Sequence, residues 1–109
     1  YDLVERVSRD SKIAILPVGY WHGYPRALSG IGQVLVKGKR AKVLGRVSMD
    51  MIVVDVTGIA CRFGDVATLI GRDSRDEITA QEFAFTAGAS YYEIITRINP
   101  LIERIAQGV

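Results

Sequence analysis

Apolar positions along the first two thirds of the chain fall in short runs separated by glycine-bearing turns. Residues 12–18 form a mostly apolar run, too short for a helix, and Pro17 predicts a strand end or a sheet edge. Val34-Leu35-Val36 and Ala41-Lys42-Val43-Leu44 flank Lys37-Gly38-Lys39-Arg40, a hairpin signal with glycine at the turn. Residues 51–56 are apolar apart from Asp55 and rich in β-branched side chains, which predicts a strand inside the sheet. Phe63-Gly64-Asp65 predicts a turn leading to a strand over 66–70, which Gly71 should end. Five short strands with glycine turns predict a small β-barrel or a sandwich.

The last third changes period. Thr79-Ala80-Gln81-Glu82 is a capping box, in which the Thr79 hydroxyl accepts from the Glu82 amide and Glu82 reaches back. Ile78 and Phe83 stand where a hydrophobic staple would pack, and Gly88 supplies the left-handed stop, so a helix is predicted over 80–87. Ser90-Tyr91-Tyr92-Glu93 opens a second helix through Ile94, Ile95 and Ile98. Pro100 should end it at Ile98 or Asn99, because the residue before proline avoids the α region. Residues 101–109 fit either a helix or a strand.

With 109 residues, 49% of them hydrophobic, the chain can bury one core. Fourteen basic residues against twelve acidic give a net charge of +2, too small to argue for nucleic acid by itself. Cys61 is the only cysteine, which excludes an intrachain disulfide and suits a cytoplasmic setting. No apolar run approaches the ~20 residues that span a bilayer, so no membrane partner is expected. The chain opens on Tyr1, which reads as the start of an excised piece of a longer protein.

No self-contained catalytic set is legible. His22 is the sole histidine and reads as a surface residue beside Trp21 in a glycine turn. No cysteine–histidine cluster has metal-ligand spacing. Asp55 and Asp65 read as turn or strand-edge carboxylates. The basic cluster Lys37, Lys39, Arg40, Lys42 and Arg46 would suit phosphate contacts of an RNA-binding barrel, although stacking aromatics are lacking beside it.

Two segments together carry more than this. Val18-Gly19-Tyr20-Trp21-His22-Gly23-Tyr24-Pro25-Arg26, followed by Gly45-Arg46-Val47-Ser48-Met49-Asp50, resembles the C-terminal domain of alanine racemase. Phe63-Gly64-Asp65, Leu69-Ile70-Gly71, Glu77-Ile78-Thr79 and Tyr92-Glu93-Ile94 extend the resemblance in the same order. It implies a mainly β domain, a small β-barrel with two short helices over 1–109. The preceding pyridoxal phosphate (PLP)-binding barrel domain would lie outside this chain.

The resemblance also implies roles. Tyr1 matches the family's catalytic tyrosine, one of two bases that work on opposite faces of the substrate. Met49 matches a methionine whose backbone amide binds the substrate carboxylate. Tyr92 matches a tyrosine whose hydroxyl bonds the cofactor phosphate, and its place in a first helical turn would put spare amides nearby. Tyr20, Arg46 and Asp50 resemble residues lining the substrate entrance; read without the family, they are a turn tyrosine and a surface ion pair. The partners implied are the chain's own N-terminal barrel, a second subunit and a small amino acid, with no nucleic acid. The activity implied is interconversion of L- and D-alanine for peptidoglycan precursors. Isolated, the chain should be inactive, since none of its lysines matches the one that holds the cofactor.

The chain departs from the family in two places. The family usually has aspartate where His22 stands. It normally closes with an arginine-rich strand, which Asn99-Pro100-Leu101-Ile102-Glu103-Arg104 replaces here. The competing readings are a small β-barrel binding RNA or protein, a racemase of serine or another amino acid, and a racemase-like domain that only dimerises.

Overall fold

Strand β1 (Ile13–Leu16) stops where Pro17 removes a donor, and the Val18 amide turns back to the Leu16 carbonyl at 2.9 Å. The structure, a computed structural model, describes residues 11–106. Strands β2 (Gln33–Val36) and β3 (Lys39–Leu44) form the expected hairpin. Its two turn residues both lie in the left-handed region, Lys37 at φ 53° and Gly38 at φ 77°, which matches the right-handed twist of the flanking strands. Strand β4 (Ile52–Asp55) and strand β5 (Ala67–Thr68) complete one antiparallel sheet of order β1-β4-β3-β2-β5.

The sheet curls into a half-barrel around one core. Period-two alternation puts Val34, Val36, Ala41, Val43, Ile52 and Val54 on the inner face, all buried. The edges β1 and β5 do not pair with each other. Residues from 12–17 and 61–67 line a shared groove of about 480 Å³ between them.

The sequence reading misplaced one strand. Only two residues of 66–70 pair, and Gly71 opens a strand instead of ending one. At φ 132° it makes a corner that favours glycine, and strand β6 (Gly71–Asp73) then folds back on strand β7 (Asp76–Ile78). This second hairpin is held by a partner from another strand. Arg40 of β3 meets the Asp76 carboxylate with two nitrogens, at 2.9 and 3.1 Å, and reaches the Glu77 carbonyl at 2.9 Å. It also pairs with Glu82.

Helix α1 (Ala80–Ala87) begins and ends as expected. The Thr79 hydroxyl accepts the Glu82 amide at 3.0 Å, and Gly88 closes the helix at φ 71°. The capping box is only half made, because the Glu82 carboxylate is drawn to Arg40. Helix α2 (Tyr91–Thr96) starts on the Ser90 hydroxyl, which accepts the Glu93 amide at 3.3 Å. It stops before Ile98, earlier than Pro100 alone requires. Asn99 is turned toward the Tyr20–His22 segment, donating its main-chain amide to the His22 carbonyl and its side-chain amide to the Trp21 carbonyl. The tail over 101–106 is neither helix nor strand, and 107–109 lie outside the described residues.

Candidate functional site

A 3₁₀ turn, Tyr20–His22, carries one candidate residue, Tyr20, and lies against the loop that carries another, Met49. Its amides clamp the end of the β3–β4 connection: Tyr20 donates to the Ser48 carbonyl at 3.0 Å and Trp21 to the Met49 carbonyl at 2.9 Å. The approach is close enough to demand glycine. A Cβ on Gly19 would stand 2.2 Å from the Ser48 oxygen and 2.6 Å from the Met49 carbonyl carbon. Gly23 closes the turn at φ 108° against the Arg97 carbonyl at the end of α2. The turn thus joins the Ser48–Met49 backbone on one side to helix α2 and Asn99 on the other.

The connection it clamps is a tight loop. Both the amide and the hydroxyl of Ser48 reach the Met51 carbonyl, at 3.2 and 2.8 Å. The Val47 amide donates to the Ser29 hydroxyl at 2.9 Å, fixing the other end. Met49 and Asp50 form the exposed tip. The Met49 side chain is 51% exposed, so it does not serve the core, the alternative that a methionine beside a strand suggests. The Met49 carbonyl is spent on Trp21, while its N–H has no acceptor among the described residues. A main-chain donor with a fixed direction and no internal partner suits an anion.

The remaining candidates surround this loop unevenly. The Tyr20 ring lies at the surface with the Arg26 guanidinium 5.6 Å from its centroid. Arg46 and Asp50 are both exposed and flank Val47-Ser48-Met49, Arg46 having a polar interaction of its own. Tyr92 is 67% exposed on α2 and stacks on Tyr91 at 4.2 Å between ring centroids. Tyr91 packs against the core. Its hydroxyl is held protonated above the usual tyrosine range, first by its hydrogen bond with Tyr92 and then by burial. Past its C-terminal end, α2 is joined to the turn, where Gly23 lies against the Arg97 carbonyl and Asn99 donates to the His22 and Trp21 carbonyls. Of the spare amides expected beside Tyr92, that of Glu93 is taken by the Ser90 hydroxyl. Tyr1 lies outside the described residues.

His22 is not the surface residue the sequence suggested. It is half-buried, and its Nδ1 accepts the Gly19 amide at 3.0 Å. Neither His22 nor Asn99 was legible as part of this junction, since both act on residues chosen by the fold. Asp55 and Asp65 do close turns, accepting from Thr57 and Arg62 respectively. The basic cluster is interrupted, because Arg40 is committed to Asp76 and Glu82. No group of three or more His, Cys, Asp or Glu able to hold a metal occurs among the described residues.

The family described as alanine racemase, C-terminal domain, matches residues 1–106. The chain belongs to that family. Alanine racemase of Halothermothrix orenii is 49% identical over 98 residues, 89% of this chain and 26% of that protein. The biosynthetic alanine racemase of Pseudomonas aeruginosa superposes with a TM-score of 0.87 at 32% identity, covering 99% of this chain and 29% of that one. The alanine racemase of Bartonella henselae, solved with covalently bound pyridoxal phosphate, gives a TM-score of 0.81 at 29% identity, covering 93% of this chain and 29% of that one. The chain therefore spans about a quarter of the length of the curated relatives it matches. In this racemase-family domain the tyrosine turn and the Met49 loop are one hydrogen-bonded unit, and α2 is docked on its other side.

Proposed function

We propose that this chain is the C-terminal domain of a PLP-dependent enzyme that interconverts L- and D-alanine, lending the tyrosine base and part of the substrate and cofactor contacts. What carries the reading is the Met49 amide. It is held in direction by the Ser48 carbonyl of the same peptide plane, which accepts from Tyr20, and it has no acceptor among the described residues, so a small carboxylate could dock there. The donor set also fits the cofactor. A phosphate calls for exposed donors, and the Tyr92 hydroxyl stands in solvent on a capped helix.

When bound, PLP supplies the electron sink for the charge left by proton removal. This chain's own groups do the rest. The Met49 N–H fixes the substrate carboxylate, which orients the α-carbon between the two bases. Tyr1, as its phenolate, would take the α-proton from one face and become the neutral phenol, while the opposite base delivers a different proton, its own, to the other face. An ordinary tyrosine holds its proton to pH ~10, so neighbouring cationic groups outside this chain must stabilise the anion. Tyr20, Arg46 and Asp50 form a polar, aromatic rim that admits small zwitterions and limits water. Tyr1 and Met49 serve the site of a second subunit, while Tyr92 serves the site of its own.

The test is proton exchange. The full-length protein, loaded with PLP and given L-alanine in D₂O, should return D-alanine carrying deuterium at the α-carbon. Serine and lysine tested alongside define the range. Alanine recovered uninverted and unlabelled overturns the reading.

A further inference from the structure

The turn that carries Tyr20 is fastened by a side chain whose capacity to accept depends on protonation. Gly19 N–H donates to His22 Nδ1 at 3.0 Å. The same turn is closed by the His22 amide on the Gly19 carbonyl at 3.0 Å. These two bonds make a reciprocal box, with His22 in the place that glutamate or glutamine takes at a helix start. The Gly19 amide has no other acceptor among the described residues. Since a main-chain N–H can only donate, Nδ1 must be the bare nitrogen and Nε2 the protonated one.

We propose that His22 is a positioning residue: its neutral imidazole, by accepting the Gly19 amide, fixes the turn that presents Tyr20 and clamps the Met49 loop. The proposal rests on the reading of Tyr20 and Met49 as substrate-facing groups. A protonated imidazole has two donors and no acceptor. Protonation therefore breaks the Gly19 bond outright and sets one N–H against another. The strain falls on the backbone that holds the Ser48 and Met49 carbonyls, because Gly19 lies against both. His22 helps line a groove whose other side chains, among them Val18, Leu69, Ile94, Ile98 and Ile102, carry no charge. Tyr24 is the one other titratable side chain lining it, and burial pushes that hydroxyl's pKa up, so it stays neutral. Trp21 meets the imidazole edge-on at 4.9 Å between centroids.

The stereochemistry says what can replace histidine. The Oδ1 of aspartate or asparagine is the same number of bonds from the main chain as Nδ1 of histidine. Either can accept the Gly19 amide, and neither loses that capacity between pH about 5 and 8. His22→Asp should thus keep the turn and abolish its pH dependence, whereas His22→Phe keeps the ring and loses the acceptor.

The experiment is amide exchange followed by mass spectrometry on the full-length protein, reading peptides over 18–24 from pH about 8 to about 5.5 and correcting for intrinsic exchange. Wild-type protection should fall roughly fivefold or more as histidine takes its proton, the equivalent of one hydrogen bond. His22→Asp should stay flat, and His22→Phe should be poorly protected throughout. In parallel, the ratio of wild-type to His22→Asp kcat/KM for alanine should fall by a similar factor over the same range, carried by KM. A wild-type protection profile as flat as that of His22→Asp overturns the proposal, and this comparison stands even where His22→Phe does not fold. Protection that falls while the kinetic ratio stays constant overturns the positioning role. Absence of racemisation in wild type with the exchange pattern intact refutes the racemase reading and leaves the acid-sensitive turn standing.

Discussion

Trp21 donates its main-chain N–H to the carbonyl of Met49, and Gly19 is what lets the two backbones come within 2.9 Å. Gly19 has an extended φ of −155°, so its conformation is open to any residue and the constraint is purely one of space. Gly19→Ala must push the Ser48–Met49 backbone away. The expected loss is about 1–3 kcal/mol, the range for forcing an extra methyl into a packed site. Denaturant unfolding checks the stability, and KM for alanine checks the displaced Met49 amide. An alanine variant matching wild type in both would refute the clamp.

Tyr1→Phe in the full-length protein should lower turnover of L-alanine by ~10²–10⁴-fold, the usual worth of a positioned acid–base group, with PLP absorbance unchanged. The same variant tests the sharing of sites. It is mixed, under subunit exchange, with a variant lacking the lysine that holds the cofactor. Mixed dimers then contain one doubly defective and one intact site, and activity should return to about one quarter of wild type for random pairing. With exchange verified and activity still absent, the two residues come from one chain.

Tyr92→Phe should weaken PLP affinity by roughly ten- to a hundredfold, the loss of one hydrogen bond to a charged phosphate. The fold should survive, because the side chain is mostly exposed and the Thr96 hydroxyl reaches the Tyr92 main-chain carbonyl, which the substitution leaves in place. Equilibrium titration of the apo-protein with PLP provides the measurement. An unchanged dissociation constant makes Tyr92 a packing partner of Tyr91 alone.

Asp76 predicts an acid limit for the second hairpin. The Arg40 guanidinium, and then the Glu77 amide, lower its pKa to about 2. The folded value lies below the ordinary carboxylate value near 3.9, so this contribution is complete above about pH 4 and is lost as pH falls toward 2. Salt should reduce it, because the carboxylate is partly exposed. Urea midpoints measured from pH 2 to 6 should converge for wild type and Asp76→Asn at the acid end and separate above pH 4. Parallel curves would exclude the pair as the cause.

Much of the fold is written locally. The Lys37–Gly38 hairpin, the Thr79 cap and the Gly88 stop each follow from a few adjacent residues. The β6–β7 hairpin does not. Its strands, Gly71-Arg72-Asp73 and Asp76-Glu77-Ile78, lack the alternation of a strand and have Ile78 as their single β-branched residue, and they are held by Arg40 from elsewhere in the sequence. The early end of α2 has the same origin, since Asn99 answers to Trp21 and His22. At the site, the motifs pointed to Tyr20 and Met49, but the motifs could not tell that one turn fastens both. His22 was misjudged because a side chain capping its own turn looks, in sequence, like any polar residue between glycines.

The unclosed sheet has a consequence for how the chain folds. β2, β3 and β4 are consecutive neighbours, so they can assemble with short loops between them. β1 must instead wait for β4, with Ile13 meeting Asp55, and β5 returns to pair with β2. Closing those longer loops comes at an entropic cost that is recovered only once the central strands exist. The two flanks of the groove then join after the rate-limiting step. Leu16→Ala, on β1, should therefore steepen the loss of the folded state mainly by speeding unfolding, with refolding nearly unchanged, and stopped-flow kinetics in urea would show which limb moves. A slower refolding limb would place β1 in the nucleus. Otherwise, the groove between the sheet's edges is also the seam along which the domain first opens.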